Sequence, residues 1–90
     1  MVYGIALCTY TPDGLYSWSL LGDQVFNKYE EAKEFGSQHI REKGWLGYTT
    51  FQDEDSWNWR RQENDGEMDD LCMVCAENRE DVLLYMRHLG

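Results

Sequence analysis

The four residues Thr11-Pro12-Asp13-Gly14 constrain this chain more than any others. Pro pre-sets the backbone for a type I turn, and Gly accepts the left-handed conformation that follows. The turn stands between two runs suited to strands. Val2 to Tyr10 is mainly apolar, and in Leu15 to Leu21 the residues Tyr16, Trp18 and Leu20 alternate with Ser17 and Ser19. Two strands joined so tightly pair antiparallel, so the chain is expected to open with a β-hairpin.

Gly22-Asp23-Gln24 then breaks the strand pattern. From about Lys28 to Lys43, Tyr29, Ala32, Phe35, Gly36, His39 and Ile40 recur at helical spacing. Asn27 followed by Glu30 has the arrangement of a capping box, and Lys43-Gly44 suits a helix C-terminus. The four acids of this helix are matched by Lys28, Lys33, Arg41 and Lys43, which gives an amphipathic helix with a mixed-charge solvent face. Trp45 to Gln52 and Trp57 to Gln62 read as two further strands. Glu63 to Asp70 reads as a polar loop and Leu71 to Ala76 as a short apolar strand. Asn78 can cap a last helix over Arg79 to Leu89, with Glu80 and Asp81 in the first turn, where the dipole favours acids. The order is β-β-α-β-β-β-α. It predicts an α+β fold in a single domain, residues 1–90. The expected form has two layers, an antiparallel sheet of four or five strands with both helices on one face. The other face would then be open to water or to a partner.

The chain holds no run of 18 apolar residues, so no transmembrane helix is expected. Met1 to Cys8 lacks a basic segment and a small-residue cleavage site, and so reads as strand and not as a signal peptide. Three cysteines, Cys8, Cys72 and Cys75, are an odd number. Without a secretory signal, free thiols in a reducing cytoplasm are expected.

The charge is strongly localised. The formal net charge is −9. Between Gln52 and Asp70 lie Asp53, Glu54, Asp55, Glu63, Asp65, Glu67, Asp69 and Asp70, opposed only by Arg60 and Arg61. That stretch therefore carries −6 of the −9. Within it, Trp57 and Trp59 share one strand face, and Arg61 extends that face. Two readings of the Trp pair are open. Both rings fill the core, or both stand exposed as anchors for a partner, a role that Trp and Arg often fill at interfaces. An acidic field suits a basic protein partner and repels nucleic acid and anionic membrane.

Other motifs carry less. Cys72-Met73-Val74-Cys75 has redox or zinc spacing, but residues three apart on a strand point to opposite faces, so the pair is not expected to chelate. The run Glu63 to Asp70 lacks the Gly and closing Glu positions of a calcium loop. His39 lies on the apolar side of the first helix, and His88 lies near a helix C-terminus. No phosphate loop, serine elbow or Cys–His signature is present, so catalysis, metal and cofactor are not expected.

Carboxylates two apart on a strand lie roughly 6.6–7 Å from each other, close to the spacing of successive phosphates. Small acidic phage proteins that counter restriction or CRISPR defence resemble this chain in size and charge, though not in sequence. The resulting expectation is a non-enzymatic, cytoplasmic inhibitor, monomer or homodimer. It would use Asp53, Glu54, Asp55, Trp57, Trp59, Arg61, Glu63, Asp65, Glu67, Asp69 and Asp70 against a basic partner such as a nuclease or CRISPR effector. The alternatives are an immunity protein or antitoxin for a basic toxin, and a small-ligand or metal-binding accessory domain.

Overall fold

The structure, a computed structural model, describes residues 1–14, 16–53, 56–61 and 68–89. Strands β1 (Val2–Tyr10) and β2 (Tyr16–Leu20) form the opening hairpin. In its turn the Gly14 N–H donates to the Thr11 carbonyl at 3.0 Å, and Gly14 takes φ +84°. A 3-10 turn (Leu21–Asp23) leads to helix α1 (Tyr29–Lys43). Strands β3 (Gly47–Asp53), β4 (Ser56–Arg61) and β5 (Met68–Ala76) follow, and helix α2 (Arg79–Leu89) comes last. The class and the element order are those expected from the sequence.

The strands form one antiparallel sheet in the order β2-β1-β5-β4-β3. The first strand is thus interior. All nine residues of β1 pair with β5, from Val2 opposite Ala76 to Tyr10 opposite Met68. On its other side β1 pairs with β2, from Ala6 opposite Leu20 to Tyr10 opposite Tyr16. Strand β5 starts at Met68, three residues before the expected position, so Asp69 and Asp70 belong to the sheet and not to the polar loop.

The helices do not share a face. Ile5 and Ala6 are adjacent in β1 and both are fully buried. Adjacent strand residues point to opposite sides, so both sides of the sheet are covered. One side packs Ile5, Trp57, Trp59 and Leu71 against Ala32, Tyr29, Phe35 and Ile40 of α1. The other packs Ala6 and Val74 against Val82 and Met86 of α2, with Trp18 and Leu20 beside them. The arrangement is helix, sheet, helix, in place of two layers with an open sheet face. Its physical cause is in the two central strands. Both β1 and the end of β5 are near-continuous apolar runs, the pattern of strands buried on both faces.

Local chemistry sets the helix ends. The N-cap of α1 is Lys28, and no side chain caps the first turn, so the expected Asn27–Glu30 capping box is not formed. Tertiary packing holds this end instead, with Tyr29 meeting Tyr3 edge-on at 6.1 Å. At the other end Gly44 adopts the left-handed conformation and donates its N–H to the Arg41 carbonyl at 3.2 Å. Helix α2 has the cap expected of it, since the Asp81 N–H donates to Asn78 Oδ1 at 2.9 Å.

Gly47 opens β3 where α1 hands the chain to the sheet. A Cβ there would collide with the Arg60 carbonyl oxygen and with the Trp59 ring. The carbonyl is part of a strand and cannot move aside. Gly47→Ala should therefore cost about 1–3 kcal/mol, the usual range for overpacking. Urea unfolding followed by circular dichroism measures it, and an unchanged midpoint would contradict the packing.

Candidate functional site

The residues expected to form an interface cluster around β4, where alternation sends neighbours to opposite faces. Trp57, Trp59 and Arg61 lie on the α1 side. Asn58 and Arg60 lie on the α2 side, with Arg60 opposite Asp70 in the register.

Trp57 and Trp59 are core residues, 5% and 8% exposed. The exposed-anchor reading is thus corrected. The reason is the path of α1, which crosses this face with Gly36 against the sheet. A Cβ on Gly36 would stand 3.0 Å from Trp57 Cζ3 and 3.3 Å from Ile5 Cγ1, so glycine lets the helix pack closely on the indole. Trp59 stacks on Trp45, with centroids 6.2 Å apart and planes 12° from parallel. Arg61 also lies against Trp45, its Cζ 5.4 Å from the ring centroid. Such a contact favours the cation and fixes its side chain.

Both arginines of the acidic stretch are already paired. Arg61 Nη1 donates to Asp69 Oδ2 at 2.7 Å. Arg60 donates through Nε and Nη2 to the two oxygens of Asp70, at 2.8 and 3.0 Å. This fork geometry is the strong form of an ion pair. The Asp70 hydrogen bond holds the Arg60 guanidinium even further above neutrality than usual. Asp69 is buried. Asp69, Asp70 and Arg61 are therefore tied into ion pairs that link β4 to β5.

The remaining expected site residues divide differently. Glu54, Asp55, Glu63, Asp65 and Glu67 lie outside the described residues, and for Asp53 the backbone pairing with Ser56 is described. In the chain, segment 54–55 precedes β4 and segment 62–67 follows it. The residues between them are Ser56, Trp57, Asn58, Trp59, Arg60 and Arg61, with no acid among them. Strand β4 itself therefore contributes no carboxylate between the two acidic segments.

The thiols are free. Cys72 and Cys75 point to opposite faces of β5, as their spacing requires, and Cys75 is exposed. Cys72 shares the α2 face with buried Cys8, which stands opposite Asp70. Burial pushes the Cys72 thiol up to about 11 and raises Cys8 as well, so both stay protonated and weakly nucleophilic at neutral pH. Trp18, Asn58, Arg60, Asp70 and Cys72 border a cleft of about 230 Å³ on this face. Among the described residues no three His, Cys, Asp or Glu side chains gather to hold a metal ion. Also among the described residues, no helix is long and apolar enough to cross a membrane.

His39 sits at the edge of the core, its ring meeting Trp45 edge-on at 5.1 Å. Its Nε2 is buried and has no hydrogen-bond partner among the described residues. Burial, then the Lys43 charge, lowers its pKa from 6.5, against weaker opposing effects of Glu42 and Asp69. The unfolded chain therefore binds this proton more readily than the folded one. Stability from neutral His39 is complete above the unfolded value, about 6.5, and falls as pH drops below it. Melting temperature should decline from pH 7 to pH 5 more steeply in the native protein than in His39→Gln. Parallel curves would show that His39 is not the group responsible.

Sequence reasoning missed a groove on α1. Phe26 and Phe35 lie at its base, with Glu30, Glu31, Glu34 and Gln38 around it, and its volume is about 420 Å³. A helical wheel carries the signal. Glu30, Glu31, Glu34, Gln38 and Glu42 fall in one sector of α1 with a single cation, Arg41, among them, whereas Lys33 and Lys43 fall outside it. Charge balance over the whole helix hides that segregation. Comparison with protein-family models, curated proteins and solved structures finds no match to this chain.

Proposed function

We propose that this protein is a small acidic binding module that docks on a basic, nucleic-acid-handling protein and blocks its nucleic-acid site. One observation supports this reading above the others. The segments 54–55 and 62–67 hold five acids and no cation, and the arginines of the strand between them are spent on Asp69 and Asp70. These segments thus carry −5 over eight residues with no cation of their own. Clustered carboxylates raise the local concentration of a cationic partner and speed its association. On this reading the protein is phage-encoded, works in the cytoplasm of a bacterial host, and counters restriction or CRISPR effectors. Trp57 and Trp59 contribute by holding the sheet, not by touching the partner.

Gel-shift competition tests the proposal. Purified CRISPR effectors and restriction endonucleases are loaded with labelled DNA and titrated with this protein. The expected result is displacement of DNA at near-stoichiometric amounts, with apparent affinity falling steeply as salt rises. DNA that stays bound in both enzyme classes at low salt would overturn the reading.

A further inference from the structure

The α1 groove combines an apolar base with an acidic rim. The Phe26 and Phe35 rings are tilted against each other with centroids 5.2 Å apart, and both are only partly buried. Phe26 is pinned to the central strand by two backbone hydrogen bonds of 2.7 Å, since each of Tyr3 and Phe26 donates its N–H to the other's carbonyl. The backbone under the base is therefore anchored to the sheet. On the rim, Glu34 accepts a hydrogen bond from Arg41 at 2.7 Å, and both side chains are well exposed. Glu30 and Glu31 have no ion pair among the described residues. The helix dipole favours acids in a first turn. It gives no reason for an open apolar groove beside them, and Glu30 and Glu34 repel each other at i, i+4.

We infer that this groove receives a basic segment of the protein partner, in which Lys or Arg flanks an apolar or aromatic side chain. The apolar side chain lies on Phe26 and Phe35, and the cations meet Glu30 and Glu31. The charge complementarity selects this occupant, because an acidic rim repels nucleic acid and anionic lipid. The inference rests on the proposed function and adds a second contact to it, apart from segments 54–55 and 62–67. A partner held at two places gains affinity without any new chemistry at either.

The probe is a capped synthetic peptide, Lys-Leu-Lys-Phe-Lys, titrated into isotope-labelled protein and followed by amide shifts in NMR. Saturable shifts are expected across residues 26–38. Combining Glu30→Lys with Glu31→Lys should weaken binding roughly tenfold or more, a loss of two favourable charge contacts and a gain of two repulsive ones. The control pairs Glu77→Lys with Glu80→Lys, at the same net charge around the start of α2, and should weaken it less than about threefold. Replacing Leu and Phe of the peptide by Gly should weaken it as well. Shifts confined to segments 54–55 and 62–67 would overturn the inference and leave the proposed function standing. Equal weakening by the two variant pairs would also overturn it, by reducing the effect to net charge. Absence of any shift overturns it too, and the DNA-displacement assay then decides the function separately.

Discussion

Trp57→Ala should remove about 3–5 kcal/mol of folding stability, the cost of emptying a large aromatic site in a packed interior. Small domains have roughly 5–15 kcal/mol in total, so the variant stands near the edge of unfolding at body temperature. Trp57 is 5% exposed and sits against Gly36 of α1, in the same core cluster as Ile5. A rigid helix cannot collapse into the hole without pulling Ala32 away from the same core. Leu46→Ala serves as the comparison. Leu46 is 74% exposed, and its loss should change stability by no more than about 0.5 kcal/mol. Urea midpoints of both variants measure the contrast. A loss below about 1 kcal/mol for Trp57→Ala would return this residue to the surface reading.

The second large effect concerns rate. Turning Asp53, Asp55 and Asp65 into Lys should slow association with a cationic effector by roughly tenfold or more at low salt. The salt dependence of association should flatten in parallel, because fewer charges steer the encounter. Stability should change little, since the arginines of β4 are paired with Asp69 and Asp70, which these substitutions leave in place. Stopped-flow association at several salt concentrations separates the two quantities. An unchanged rate would reduce the acidic segments to a solvated surface. Reversing Asp69 instead should act oppositely, with lost stability, because a cation there would face Arg61 in a buried setting.

Much of the fold is legible in the residues themselves. The turn at Pro12-Asp13-Gly14 needs only local chemistry, and so does the Asn78 cap of α2. Strand alternation correctly places Trp57 with Trp59 and separates Cys72 from Cys75. Alternation cannot say which sheet face a distant helix will cover, and this decides whether those Trp are core or surface. Gly36, standing among apolar helix positions, is the residue that marks the close approach. The helices' separation onto two faces is also legible, in the unbroken apolar run of β1, once that run is weighed against the alternation of β2. Asp69 and Asp70 mislead because two adjacent acids resemble a loop. Their place in a strand depends on meeting Arg61 and Arg60 across the register, and register is a property of the assembled sheet. The α1 groove escapes composition for a similar reason, since it needs Phe26 and Phe35 brought together by the bridge from Tyr3.

The interior place of β1 has a consequence for how the protein is made. During synthesis β1 emerges well before β5 and finds β2 at once through the tight turn. Its other edge waits for β5, whose Ala76 pairs with Val2. Contacts so distant along the chain are slow to form, since the closing of a long loop precedes their reward. Until then a nearly continuous apolar strand is half-paired and exposed, the state most prone to association with other chains. The pace of synthesis and the supply of chaperones should therefore limit the yield of this protein more than the stability of its finished fold.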